Sequence, residues 1–135
     1  MIERYSRKEI KSIWEDYNKY KIWLDIELAA AEAMEKLKVI PKGVVKKIRS
    51  KAKINVKRIL QIEDKVKHDV IAFLTSIAEK TGKEARYLHK GMTSSDVLDT
   101  CFNLQLKQSG DILMKDIDQL LSLIHISEPT RPSRI

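Results

Sequence analysis

Residues 93–124 read TSSDVLDTCFNLQLKQSGDILMKDIDQLLSLI, and the reading of this stretch decides the fold class. Thr93 followed three residues later by Asp96 is a helix-start pattern, in which a hydroxyl and a carboxylate satisfy the backbone N–H groups that a first turn leaves free. From there Leu98, Phe102, Leu106, Gly110, Leu113, Ile117, Leu120 and Ile124 advance by three or four residues. That spacing keeps one face of a helix apolar, as in a bundle or coiled coil.

Upstream, residues 83–93 contain Gly91 and show no clean period, which predicts a loop or a single turn. Val70, Ile71, Phe73, Leu74 and Ile77 predict a strongly apolar helix over about residues 69–80, with Gly82 placed to stop it in left-handed geometry. Val56, Ile59, Leu60 and Ile62 predict another, capped by Asn55, and Val44, Val45 and Ile48 a short one after Pro41. Trp23, Ile26, Ala30, Ala33 and Leu37, with Leu24, Leu28 and Ala31 beside them, predict a helix buried over a broad face and ended before Pro41. Ser6 with Glu9 repeats the capping pattern and starts a helical region near residue 7. No segment alternates with the period of a strand, so the expected class is all-α.

The chain has 135 residues, enough for one domain with a real core, and its 43% apolar and 33% charged composition is that of a soluble globular protein. No run approaches the roughly 18 apolar residues of a membrane span, and the polar opening has no secretory pattern. A cytoplasmic protein without a membrane partner is expected. The single cysteine, Cys101, cannot form an intrachain disulfide, and no second cysteine or spaced histidine pair offers a metal site. A net charge of +7 invites a nucleic-acid reading. The lysines, however, are mixed with acids along nearly every helix, and the densest stretch, residues 42–57, has no aromatic to stack a base. A solvated lysine-rich surface without a nucleic-acid partner is the expectation; a basic helical module binding nucleic acid or another helix through the Leu98–Ile124 seam is the alternative from a different class.

Residues 121–131, Leu-Ser-Leu-Ile-His-Ile-Ser-Glu-Pro-Thr-Arg, resemble the conceptual translation of a transposon-end sequencing adaptor. The natural frame is therefore expected to end near Leu120, with residues 121–135 a non-native tail, and His125 is set aside as a candidate for chemistry.

Two histidines remain. His68 lies in Lys67-His68-Asp69 at a junction between predicted helices, where a neighbouring cation and carboxylate would orient and tune an imidazole for acid–base work. A histidine at a helix end also serves as a plain cap. His89 precedes Gly91-Met92-Thr93-Ser94-Ser95-Asp96, where hydroxyls and free N–H groups at a helix start suit a carboxylate or phosphate; a simple cap by Thr93 or Ser94 fits the same residues. Arg4-Tyr5 pairs a planar cationic fork with a phenol, suited to a phosphate or to nothing more than surface.

Taken in order, the opening Met1-Ile2-Glu3-Arg4-Tyr5-Ser6, Trp23-Leu24-Asp25-Ile26-Glu27, Ile40-Pro41-Lys42, Lys67-His68-Asp69-Val70-Ile71-Ala72-Phe73 and His89 through Thr100 resemble the adenylosuccinate lyases of the fumarase/aspartase superfamily over residues 1 to about 120. Arg4-Tyr5 and Lys67-His68-Asp69 set this likeness apart from other members of the superfamily, such as argininosuccinate lyases, which share the Thr-Ser-Ser-Asp segment. The resemblance implies a helical N-terminal domain over residues 1–110 and the start of the first long central-bundle helix over 111–120. It implies a cofactor-free, metal-free β-elimination that releases fumarate from a succinyl-purine nucleotide. In it His68 would be catalytic and Arg4 and Tyr5 would bind the nucleotide phosphate. Lys67 and Asp69 would line the pocket, His89 would help hold the substrate, and Thr93 and Ser94 would take the succinyl group. It also implies a homotetramer whose sites draw on three subunits, and further catalytic groups downstream of this sequence, so the chain alone is expected to be inactive.

Overall fold

The computed structural model of the chain describes residues 2–127. Among them the chain forms helices and connecting turns with no strand, as the all-α reading expects. The α-helices are α1 (Lys8–Ile13), α2 (Asp16–Lys36), α3 (Val44–Lys51), α4 (Val56–Val66), α5 (Asp69–Thr81) and α6 (Ser94–Ser127), with short 3-10 turns at Glu3–Tyr5 and Gly82–Tyr87. Helix α2 packs against α3, α4 and α6, and α4 pairs with α5 as an antiparallel hairpin.

Several helix ends follow the expected chemistry and others do not. Asn55 caps α4, its side chain accepting the Arg58 N–H at 3.0 Å. The expected box of Ser6 and Glu9 does not form: Arg7 occupies the cap position without a side-chain bond, because the Ser6 hydroxyl donates instead to the Ile2 carbonyl of the preceding turn. At the end of α2 the stop is not proline. Lys38 turns left-handed at φ 60, with its N–H on Glu35 and the Val39 N–H on Met34, the paired bonds of a Schellman motif. Gly82 takes a positive φ of 73 but with ψ −139, which extends the chain rather than coiling it left-handed.

The core is built around three rings. Trp23 meets Phe73 edge-on at 5.5 Å and Tyr20 edge-on at 5.2 Å, while Tyr20 and Phe73 lie parallel at 5.9 Å. All three are buried, with Ile48, Ile59, Val70, Ile77 and Val97 packed into the same cluster. The buried stripe of α2 therefore runs Tyr20, Trp23, Glu27, Ala31 with Leu28 beside it, starting one turn earlier than expected. Ala33 and Leu37 fall outside it; Leu37 sits at the cap, where the chain has already begun to turn, and is exposed. Leu60 and Ile71 are likewise exposed on the outer faces of their helices.

Helix α6 divides between a buried face and an exposed apolar one. Val97, Cys101 and Gln105, each one turn apart, are the buried ones, and the Gln105 amide donates to the Ile13 carbonyl at 2.7 Å. Burial pushes the Cys101 thiol pKa up. On the expected seam Leu98 is partly buried, whereas Phe102, Leu106, Leu113, Ile117, Leu120 and Ile124 are exposed. The helix continues without a break through Ser127; the remainder of the tail expected to be non-native, residues 128–135, lies outside the described residues.

Phe73 tests the aromatic core. Phe73→Ala should destabilise the chain by about 3–5 kcal/mol, the usual cost of emptying a buried phenyl site. The change in urea midpoint measures it, and a loss under about 1 kcal/mol would contradict the packing described.

Glu35 provides a pH test. Its carboxylate accepts the Gly43 N–H at 2.6 Å and the Val45 N–H at 3.2 Å, closing the start of α3, and these bonds hold its pKa below the ordinary glutamate range. The folded chain thus binds that proton less readily than the unfolded chain. The stabilisation is present above the ordinary range and lost as pH falls through the lowered pKa. Glu35→Gln should lower stability at neutral pH and flatten the acid limb of the stability–pH curve; a curve parallel to that of the unaltered chain would refute this role.

Candidate active site

Lys67, His68 and Asp69 occupy the hinge between α4 and α5. Lys67 ends α4 in left-handed geometry, φ 54 and ψ 34, with its N–H on the Glu63 carbonyl at 2.8 Å and its ammonium 2.7 Å from Asp64. That single residue reverses the chain and delivers His68 in extended geometry to the N-cap of α5. There Nδ1 of His68 lies 3.4 Å from the Ile71 N–H, which it accepts when unprotonated, and 3.5 Å from the Asp69 carboxylate, its partner when protonated. Asp69 also accepts the Val70 N–H at 2.7 Å, which anchors it. The imidazole thus has a partner in either charge state while remaining half-exposed.

His89 is held differently. Its backbone is left-handed at φ 58, a conformation that costs a non-glycine residue about 1–2 kcal/mol. One oxygen of Glu27, on the buried face of α2, accepts the His89 N–H at 2.6 Å, and the other lies 2.7 Å from Nδ1 of the ring. The Glu27 side chain is wholly buried, whereas the imidazole is 21% exposed. Its ring therefore has a sheltered side bound to the core and an open side.

Thr93 and Ser94 begin α6. The Thr93 N–H donates to Asp96 at 2.8 Å, the carboxylate half of the expected capping box, while the Thr93 hydroxyl accepts weakly from the Ser95 N–H at 3.4 Å rather than from that of Asp96. Arg4 and Tyr5 sit on the N-terminal 3-10 turn, both exposed, with the guanidinium 4.7 Å over the phenol ring. Arg7 beside them is ion-paired to Asp116, tying this end of the chain to α6.

Lys67 pairs with Asp64, His68 with Asp69, Thr93 with Asp96 and Arg4 with Tyr5, all close in sequence, whereas His89 pairs with the distant Glu27. Among the described residues no hydrogen bond or ion pair joins one group to another. A broad groove beside α3, lined by Lys36, Ile40, Pro41, Val45 and Arg49 among others, contains none of them. No group of three or more His, Cys, Asp or Glu among the described residues is arranged to hold a metal ion. No described helix is long and apolar enough to cross a membrane.

Glu27 is the residue to which sequence reasoning assigned no role. Its signal was a carboxylate on the same stripe as Trp23, Leu28 and Ala31, where only a paired charge is tolerated. A second regularity concerns backbone strain: Lys38, Lys67 and His89 are the non-glycine residues with positive φ among those described, and two of the three are candidate site residues.

Comparison with known proteins gives a consistent result. A family described as Lyase matches residues 3–128. Over 124 residues, 92% of this chain, the sequence is 46% identical to the adenylosuccinate lyase of Bacillus subtilis (strain 168), and it spans 29% of that relative's length. The fold is similar to the crystal structure of a fumarate lyase from Mesorhizobium sp. BNC1, with a TM-score of 0.76 and 19% identity, covering 84% of this chain and 27% of that one. At that identity the likeness speaks for the fold alone.

The cap role of His68 is separable from any chemistry. His68→Ala should lower stability by about 0.5–1 kcal/mol, and His68→Asn, whose amide oxygen caps well, should restore most of it. Equal urea midpoints for the two variants would remove the Ile71 contact from the energetics.

Proposed function

The chain belongs to the lyase family, and from that premise we propose that it forms the N-terminal part of an adenylosuccinate lyase, which eliminates fumarate from adenylosuccinate and from succinyl-aminoimidazole carboxamide ribotide. The observation that carries this reading is the likeness to a lyase of that name along nearly the whole chain. Residues 1–110 form the N-terminal helical domain, 111–120 open the central helical bundle, and 121–135 are a non-native tail.

The reaction needs a base to take a proton from the succinyl carbon beside a carboxylate and an acid to protonate the departing nitrogen. No cofactor enters. His68 takes part in proton transfer, and its position supports that role: half-exposed, oriented by Asp69, with a hydrogen-bond partner in both charge states. Lys67 and Asp69 line the pocket, Arg4 and Tyr5 bind the phosphate, His89 helps to hold the substrate, and Thr93 and Ser94 take the succinyl carboxylates near the start of α6. The partner is a second copy of the chain in a cytoplasmic homotetramer. The exposed seam from Phe102 to Leu120 supports this, because a monomer would leave that row of large apolar side chains in water.

Kinetics of the complete enzyme test the reading. His68→Asn keeps the cap but not the titrating ring, and should lower kcat by roughly 100-fold or more. Arg4→Ala should raise KM more than it lowers kcat, since a phosphate far from the breaking bond is gripped similarly in ground and transition states. The 135-residue chain alone should release no fumarate from adenylosuccinate. Unchanged kcat in the His68 variant, or turnover by the isolated chain near that of the complete enzyme, would overturn the assignment.

A further inference from the structure

We propose that Glu27 is a positioning residue, whose buried carboxylate fixes His89 with its proton on Nδ1 and so makes Nε2 the atom that meets the substrate. The inference rests on the reading of His89 as substrate-facing, but its physical basis is separate.

Both oxygens of Glu27 are committed to one residue: Oε2 to the backbone N–H of His89 at 2.6 Å and Oε1 to Nδ1 at 2.7 Å. A backbone N–H can only donate, so Oε2 must accept. Oε1, the other oxygen of the same carboxylate, accepts as well, so the hydrogen between Oε1 and Nδ1 is carried by the ring. Nδ1 is therefore the ring's committed donor, and Nε2 is the ring nitrogen left for a ligand. The core buries the Glu27 side chain completely, while the imidazole keeps an open side. Grip on both backbone and ring also stabilises the left-handed His89 backbone, which sets the direction in which the open side of the ring points. Toward an anionic oxygen of the substrate, Nε2 becomes a charge-assisted donor whose positive charge is offset from behind by Glu27. The pair thus performs for a ligand what a carboxylate behind a histidine performs for a metal, fixing tautomer and aim together.

Nitrogen-15 NMR of the labelled chain, in solution or as a sediment, reads the tautomer directly. The chain has three histidines, and the His68→Asn and His125→Asn variants assign the signals. At a pH where the rings are neutral, His89 should show a protonated Nδ1 and a bare Nε2. In Glu27→Gln the single amide oxygen must still accept the His89 N–H, which turns the NH2 group toward Nδ1, so the ring should switch to the Nε2–H form. An Nε2–H form in the unaltered chain overturns the proposal even if the variant fails to fold, and so does a folded Glu27→Gln chain that keeps Nδ1–H. In the complete enzyme Glu27→Gln and His89→Ala should each raise KM by roughly tenfold or more. The double variant should be no worse than either, because the two residues act as one unit; additive losses would also overturn the proposal. Unchanged KM in His89→Ala with the Nδ1–H tautomer intact would instead sink the substrate-facing reading, leaving Glu27 as the anchor of an unused ring.

Discussion

A carboxylate taken out of water costs several kcal/mol unless its oxygens meet donors, and Glu27 meets that constraint by drawing on a residue far along the chain. It sits on α2 between Trp23 and Ala31, in the stripe that packs the core. For its oxygens to be satisfied, the segment after the 3-10 turn Gly82–Tyr87 must return to α2 before α6 begins, and Leu88, buried one residue earlier, seats that return. One polar contact in an apolar core thus selects the path by which α5 connects to α6, and with it the place where α6 starts. The aromatic cluster of Tyr20, Trp23 and Phe73 is buried beside it, but rings alone do not specify that register.

The residues that turn the chain are unusual for turns. Lys38, Lys67 and His89 hold left-handed backbone where glycine would do so at no steric cost. Lys38 ends α2 near the Glu35 cap of α3, a region with no candidate chemistry. Lys67 and His89 stand where a glycine would remove a side chain from the candidate site. A steric penalty accepted at these positions is consistent with side chains retained for what they contact, and at His89 the compensating bonds are visible on Glu27.

Helix α6 divides its surface between two tasks. Its Val97, Cys101 and Gln105 face packs inward on α1 and α2, where the Gln105 amide joins that of Asn18 in donating to the Ile13 carbonyl at the end of α1. Its Phe102-to-Ile124 face projects outward; Phe102 meets Trp14 edge-on at the end of α1, and the large apolar side chains beyond it are exposed. The same helix therefore completes the folded domain at its N-terminal end and offers apolar surface over the rest of its length. The chain spans 29% of its relative's length.

The sequence by itself determined the all-α class, the helices near residues 44, 56 and 69, the Asn55 cap and the Thr93–Asp96 bond, because caps and apolar periods act over one or two turns and need no distant partner. It also singled out His68 and His89 as candidates for chemistry. Tertiary structure alone decided which of two stripes on α6 is buried, since Val97–Cys101–Gln105 and the more apolar Leu98–Phe102–Leu106 have the same period and it is the former that packs on α1 and α2. It decided that the Ser6 hydroxyl serves the preceding turn rather than α1, a competition between two backbone partners that spacing does not resolve. It decided that Glu27 is a partner and not an error in the stripe. A periodic pattern records which face a residue occupies, whereas the donor that makes a buried carboxylate tolerable lies 62 residues away and becomes a neighbour only when the chain closes.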